Sequence, residues 1–202
     1  DINPATLNMC TEDLEHKLLN AQKTGSLPKI VVPVHFAGAS CEMERIQQLS
    51  KIFGFSIIED ASHAIGGLYL GRPVGCCEFS DVTIFSFHAV KIITTGEGGM
   101  ALTNDDNLAD KIALFRSHGI TRNKDNMMEA SHGEWYYEQI DIGFNYRMTD
   151  IQAALGVSQH LKLDDFVKSR STMAERYIQK LESLPVETQF MDSAVSSSYH
   201  LF

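Results

Sequence analysis

The chain has 202 residues, 44% of them hydrophobic and 21% charged, which suits one domain with a sizeable core, or one domain and part of another, and not a disordered chain. A net charge of −9 and the lack of any Lys/Arg cluster exclude nucleic acid as an expected partner, because phosphate binding needs a basic patch. No run approaches the roughly 18 apolar residues of a membrane helix.

In chain order, Thr11 can cap a helix with Leu14, Leu18 and Leu19 on one face, stopped by Gly25. Lys29 to Val34 is almost continuously apolar and reads as a strand buried on both faces, as in parallel sheets. Ser40 can cap a second helix with a Met43, Ile46, Leu49 and Phe53 stripe, ended by Gly54. Ser56 to Ile58 is the next buried strand and ends at Glu59-Asp60. This alternation is the grammar of an α/β sheet. Val82 to Phe87 is a third strand, Gly96 to Gly99 a tight glycine-rich turn, and Met100 to Thr103 a fourth strand. Asn104 can cap a helix through Leu108, Ile112 and Phe115. Ser117 to Gln139 is polar and aperiodic, a long loop of the kind that often carries function. Thr149 can cap a helix through Ile151, Ala154, Leu155 and Val157, and a longer helix runs from about Leu163 to Leu184, before Pro185. The chain opens at Asp1 in a polar, turn-like segment without a signal-peptide pattern. It stops after Tyr199-His200-Leu201-Phe202, which reads as the start of a strand, so both ends are expected to be cut or processed. Cys10, Cys41, Cys76 and Cys77 fit neither a zinc site nor a disulfide framework, so free, mostly buried thiols in a reducing cytoplasm, and no metal, are expected.

Two residues stand out chemically. Asp60 lies at the carboxyl end of a buried strand, where ligands of open α/β sheets bind. It can pair with a cationic ring nitrogen, or it can be a helix cap or a surface acid. His63, three residues on, can serve structure or site. Lys91 follows the third strand in Ser86-Phe87-His88-Ala89-Val90-Lys91 and leads into Thr94-Thr95-Gly96-Glu97-Gly98-Gly99. Apolar flanks desolvate a lysine and disfavour its ammonium form, which suits an amine that forms a Schiff base. Hydroxyls and free amides in such a turn suit a phosphate, although most glycine-rich turns serve only the backbone. A strand-end acid followed by a lysine in a Ser/Thr/Gly turn is the order that pyridoxal phosphate (PLP) chemistry needs. A dinucleotide fold would require G-x-G-x-x-G after a first strand, and Gly96-Glu97-Gly98-Gly99 lacks that spacing.

Three ordered segments, Glu59-Asp60-Ala61-Ser62-His63-Ala64-Ile65-Gly66, Ser86 to Gly99, and Asn145-Tyr146-Arg147-Met148-Thr149-Asp150 to Gly156, resemble the DegT/DnrJ/EryC1/StrS family of sugar aminotransferases over essentially the whole chain. The resemblance implies an α/β fold: the large domain of a fold-type I, aspartate aminotransferase-like PLP transferase with a mixed, mostly parallel sheet, over residues 1–160. Residues 161–202 would be a linking helix and the start of a small α+β domain. It implies that Lys91 holds PLP covalently, Asp60 meets the pyridine nitrogen, His63 lies near the ring, and Ser86 binds the phosphate. Asn145 would reach the phosphate of the neighbouring subunit of a homodimer. His88, Arg147 and the Ser117–Gln139 loop are candidates for substrate contact. The implied substrates are a nucleotide-linked keto-sugar and an amino-acid donor, glutamate. Many members carry Pro where this chain has Ala89, and that Ala, with Ser117-His118-Gly119 and the Tyr199 to Phe202 ending, points to branches that aminate UDP-linked 4-keto hexoses or pentoses. Members that dehydrate sugars replace the lysine with histidine, a change absent at Lys91. A non-catalytic, regulatory member is the remaining alternative. Family members run to nearly twice this length. Their N-terminal part adds a phosphate loop and an aromatic ring that stacks on the cofactor, neither of which is in this chain.

Overall fold

A computed structural model describes residues 1–202. The first helix, α1 (Thr11–Thr24), has Glu12 and Asp13 in its first turn and Lys23 in its last, complementing the helix dipole. Gly25, at φ 67°, closes it in the left-handed conformation that glycine adopts most readily. Cys10, and not Thr11, occupies the capping position; Thr11 is the buried first helical residue. Helix α2 (Met43–Phe53) buries the stripe read from its sequence, Met43, Ile46, Leu49 and Phe53. It starts after Glu42, two residues beyond the expected Ser40 cap, and has no side-chain cap; the Ser40 hydroxyl donates to the Cys41 carbonyl. These side chains join Leu18, Val31, Phe55 and Ile57 in the main core. Each fully buried aliphatic side chain stabilises the fold by about 1.5–3 kcal/mol.

The central sheet contains β1 (Ile30–Val31), β2 (Ser56–Asp60), β5 (Val82–Ser86) and β6 (Gly99–Leu102) in the order β1-β2-β5-β6. The pairs β1–β2 and β2–β5 are parallel and β5–β6 is antiparallel, which gives the mixed α/β sheet expected. Register sets two functional rows. Glu59, Thr83 and Leu102 align on the inner face, and Asp60, Ile84 and Ala101 align on the other. The run Lys29 to Val34 differs from the expected doubly buried strand. It is ordered as strand only at Ile30–Val31, with a further parallel bridge at Val34–Asp60. Pro33 has no N–H to give the ladder, so the pairing is interrupted there. Burial alternates along the run, leaving Ile30, Val32, Val34 and, on β5, Ile84 between 40% and 50% exposed.

Strands β3 (Leu68–Tyr69) and β4 (Arg72–Pro73) form a hairpin, and β9 (Val195–Ser196) pairs with β3 to complete a small antiparallel sheet. Two-residue strands show no alternation in sequence, so they were not legible there. Asp105, one residue after the expected Asn104, caps α3 (Asp106–Arg116) by accepting the Asn107 and Leu108 N–H groups. The Asn104 amide instead donates to the Cys76 and Cys77 carbonyls. The segment expected as a loop contains β7 (Ile120–Thr121), a 3₁₀ turn at Lys124–Asn126 and β8 (Glu138–Gln139), which pairs with β7. Its base is tight: a Cβ on Gly119, at φ 68°, would lie 1.9 Å from the Asp141 carbonyl oxygen. Helix α4 (Asp150–His160) has the expected Thr149 cap, in a capping box with Gln152. Helix α5 (Leu163–Leu181) ends three residues short of the expected Leu184. The last segment runs back to the sheet region, where Ser198 N–H donates to the Gly38 carbonyl and Leu201 N–H to that of Ala37. Residues 199–202 are not a strand; Tyr199 turns the chain at φ 48°. All four cysteines are free, with Cys41 and Cys77 buried. No helix is long and apolar enough to cross a membrane.

Candidate active site

Asp60 closes β2 at its carboxyl end. Its N–H donates to the Pro33 carbonyl (2.9 Å) and its carbonyl accepts the His35 N–H (3.0 Å), so the main chain is fixed from both sides. One carboxylate oxygen, Oδ1, accepts the Ser62 N–H at 3.0 Å. That bond shapes the turn through Ala61, Ser62 and His63, so the local capping role considered for Asp60 exists alongside any role in a site. Oδ1 is thereby committed and Oδ2 is available to a ligand.

Lys91 sits in the loop after β5. Phe87 gathers the loop's two ends: its carbonyl accepts the Thr95 N–H (3.0 Å) and the Thr94 hydroxyl (3.0 Å), and its N–H donates to the Gly98 carbonyl (2.8 Å). Lys91 N–H donates to the His88 carbonyl at 2.9 Å, which sets the turn that carries the side chain. No ion pair holds the half-buried Lys91 amine. Ser86 ends β5 with its hydroxyl accepting the His88 N–H at 3.3 Å. The N–H groups of Ala89 and Val90 make no bond within the protein, so the loop can supply donors to an anion.

His63 is where these two strand ends meet electrostatically. Burial lowers its pKa, the charge of Lys91 lowers it further, and Asp60 acts in the opposite direction. The ring of His200 lies against it, with centroids 4.5 Å apart and planes inclined by 42°. The Nδ1 atoms of both rings are buried and without a partner. His200 is carried by the returning segment, which Arg170 grips through the Tyr199 and His200 carbonyls at 3.1 and 3.4 Å. Ser198 adds a hydrogen bond from its hydroxyl to the His63 carbonyl at 3.0 Å. Nothing in the local sequence around His200 marks it, because its partner lies on a distant segment. The pairing of β9 with β3 is what places it.

Burial pushes His200 down to about 4, helped by His63, Lys91 and Arg170. In an unfolded chain the same imidazole titrates near 6.5. Between those values the unfolded state binds more protons than the folded one, so stability rises with pH across this window. Acidification from about 6.5 to 4 is therefore expected to lower the urea midpoint, and His200→Gln to flatten that decline. Unfolding curves across the window check this; an unchanged slope in the variant would refute it.

The expected residues divide into two groups. Asp60, His63 and Lys91 are brought to one place, Ser86 lies at the base of the lysine loop, and His88 is exposed beside Glu97 with a 3.6 Å contact. Asn145 and Arg147 are exposed on a different segment, bridged to Ser117 at Asn145, and are joined to the others by no ion pair. That segment is tied to the lysine loop through its neighbours: Gln152 donates to the Glu97 carbonyl (2.9 Å), and Met148 packs on the cluster of Ala61, Ala64, Phe85, Phe87 and Ile93. The chemistry of the first group is an uncommitted amine, a carboxylate with one free oxygen, two imidazoles with buried Nδ1 atoms, and hydroxyl and amide donors. Such a set fits a planar, phosphorylated, aldehyde-bearing cation.

The chain is 39% identical over its whole length to the spore coat polysaccharide biosynthesis protein SpsC of Bacillus subtilis, covering 50% of that protein. It is 38% identical over 96% of its length to a UDP-4-amino-4,6-dideoxy-N-acetyl-beta-L-altrosamine transaminase of Campylobacter jejuni, covering 48% of it. Among solved structures, Helicobacter pylori PseC, an aminotransferase of pseudaminic acid biosynthesis, superposes with a TM-score of 0.80 at 34% identity, over 98% of this chain and 49% of that one. A DegT DnrJ EryC1 StrS aminotransferase from Brucella abortus gives 0.85 at 31%, over 99% and 50%. The chain thus spans about half the length of the relatives it matches. With the family pattern matching residues 1–202 throughout, the chain belongs to the DegT/DnrJ/EryC1/StrS aminotransferase family.

Proposed function

We propose that this chain carries the cofactor-holding part of a PLP-dependent aminotransferase that aminates a nucleotide-linked keto-sugar. The carrying observation is the convergence of Asp60, His63 and Lys91 at the carboxyl ends of β2 and β5 in a member of this family. A family neighbour from Streptococcus pneumoniae, described as a sugar aminotransferase, was solved in a PLP form (TM-score 0.77, 27% identity). When bound, PLP supplies an electron sink for the carbanion formed at the donor carbon.

The chain's residues divide the remaining work. The Lys91 amine would hold the cofactor and would supply the base that moves a proton at the donor α-carbon. Asp60 would keep the pyridine nitrogen protonated through Coulomb attraction. Burial and Lys91 keep His63 neutral beside the ring. Ser86, with the free amides after it, takes the phosphate. His88 and Arg147, both exposed, face substrate. Asn145 reaches a second copy's phosphate in a homodimer. The exposed Ile142, Phe144, Tyr146 and Ile151 around it support this, since such a patch favours a partner surface. Helix α5 and the residues after it begin a second lobe. The free cysteines suit a cytoplasmic enzyme.

The substrate class we favour is a UDP-linked 4-keto-6-deoxy sugar of surface-glycan or pseudaminic acid synthesis, with glutamate as donor. The Campylobacter relative supports it. A UDP-4-keto-pentose is the second reading, favoured by Ala89, which the aminoarabinose branch shares.

The test is an absorbance spectrum of the protein with PLP, before and after glutamate. A visible band that glutamate discharges is expected. A colourless full-length protein would overturn the assignment, and a band unmoved by any amino-acid donor would favour the regulatory alternative.

A further inference from the structure

Beneath the site, on the inner face of the sheet, lies a polar cluster that the proposed reaction does not use. Glu59 precedes Asp60, and because successive strand residues face opposite sides its side chain points away from the site. The carboxylate is buried, and it receives three donors. His35 Nε2 lies 2.7 Å from Oε2, the Thr83 hydroxyl donates to Oε1 at 3.1 Å, and the Ser80 hydroxyl donates to the same oxygen. Burial alone would raise the Glu59 pKa, but the bonds from His35, Ser80 and Thr83 hold it below the usual carboxylate value. For His35, burial opposes the charge, while its contacts with Cys41 and Glu59 push its pKa up. Its Nδ1, however, accepts the Cys41 N–H at 3.2 Å. The Cys41 N–H aimed at Nδ1 leaves Nε2 as the ring nitrogen whose hydrogen faces Glu59.

His35 grips this strand end twice. Its ring holds the Glu59 carboxylate, and its main-chain N–H donates to the Asp60 carbonyl at 3.0 Å. Ser80 and Thr83 attach the same carboxylate to the start of β5, the strand that leads to Lys91. Glu59 and Asp60 share a peptide unit, so a rotation at one turns the other. We propose that Glu59 and His35 are positioning residues for Asp60: the seated Glu59 carboxylate fixes the direction in which Asp60 presents its own carboxylate to the site. Fully satisfied buried networks rigidify the segments they join. The functional part of this inference rests on the proposed PLP chemistry.

The experiment compares Glu59→Ala with Glu59→Gln in the full chain. The Gln side chain keeps the shape, accepts the His35 Nε2–H, and donates to the Ser80 and Thr83 oxygens, so it removes charge and keeps the seat. Two readings are taken: amide hydrogen exchange at Asp60 and His35 without cofactor, and the pH midpoint of the visible band with PLP bound. In Glu59→Ala, exchange at both amides is expected to speed up about tenfold relative to the rest of the sheet, and the band midpoint to move. Glu59→Gln should restore both. A lowered melting temperature with an unmoved midpoint would mean a merely structural role and overturn the proposal. So would a Gln variant that shifts as far as the Ala variant, since charge and not seating would then be the cause. If Glu59→Ala does not fold, Ser80→Ala with Thr83→Val removes two of the three donors, and the same criteria apply. A wild-type protein without a band would fail the PLP reading alone, while the exchange comparison would still decide whether Glu59 holds Asp60.

Discussion

Lys91→Ala is expected to give a folded protein that forms no visible band with PLP and has lost turnover by at least about 10²–10⁴-fold, the usual contribution of a positioned proton carrier. The fold should survive because the amine is in no ion pair, and the loop is held by main-chain and threonine bonds centred on Phe87. Truncating Lys91 leaves those bonds in place. Spectra, melting temperature and single-turnover rates with glutamate measure the three parts separately. Normal transamination by Lys91→Ala would remove this residue from the chemistry. A collapsed melting temperature would show that the side chain serves the fold instead.

Asp60→Asn carries the second large effect. The substitution keeps a carbonyl oxygen to accept the Ser62 N–H, and the two main-chain bonds at Asp60 are unaffected. The turn to His63 should therefore persist and the cofactor should still bind. On the proposed reading, what is lost is the charge that Asp60 offers the ring nitrogen. Loss of one fixed electrostatic partner of the transition state costs about 10²–10³-fold in rate. The donor half-reaction, followed at saturating glutamate, isolates that loss from sugar binding. A near-wild-type rate would deny Asp60 the electrostatic role. A variant that no longer binds PLP would show that Asp60 mainly holds the cofactor.

Helices with a strong period were legible from sequence because burial repeats along them: Met43, Ile46, Leu49 and Phe53 all reach the core. The positions of Asp60, at the end of β2, and of Lys91, in the loop after β5, were legible because the apolar runs before them mark where those strands stop. The Thr149 capping box was legible for the same local reason, since both of its partners fall within one turn. Caps elsewhere missed by one or two residues, as at Thr11, Ser40 and Asn104. At each of these a competing polar contact, or simple burial, claimed the side chain. The run around Pro33 showed that apolar residues alone do not establish burial on both faces, since register sends alternate residues to an open side. His200 was illegible for a different reason. Its place depends on β9 meeting β3, a pairing between two-residue strands on distant segments. The Glu59 network was equally hidden, because its members are joined only when β1, β2 and β5 are aligned.

The return of the last segment to Gly38 and His63 also orders events in time. Synthesis proceeds from the N-terminus, so β2, its turn and the lysine loop leave the ribosome well before Tyr199 and His200 do. Closing so long a loop costs little more entropy than closing a shorter one, because the penalty grows only logarithmically with length. It is still a non-local contact, and such contacts slow folding relative to local helices. The nascent protein therefore passes through a stage in which Asp60 and Lys91 are in place while one side of His63 is bare. The docking of His200 closes that side only after its own segment has been made.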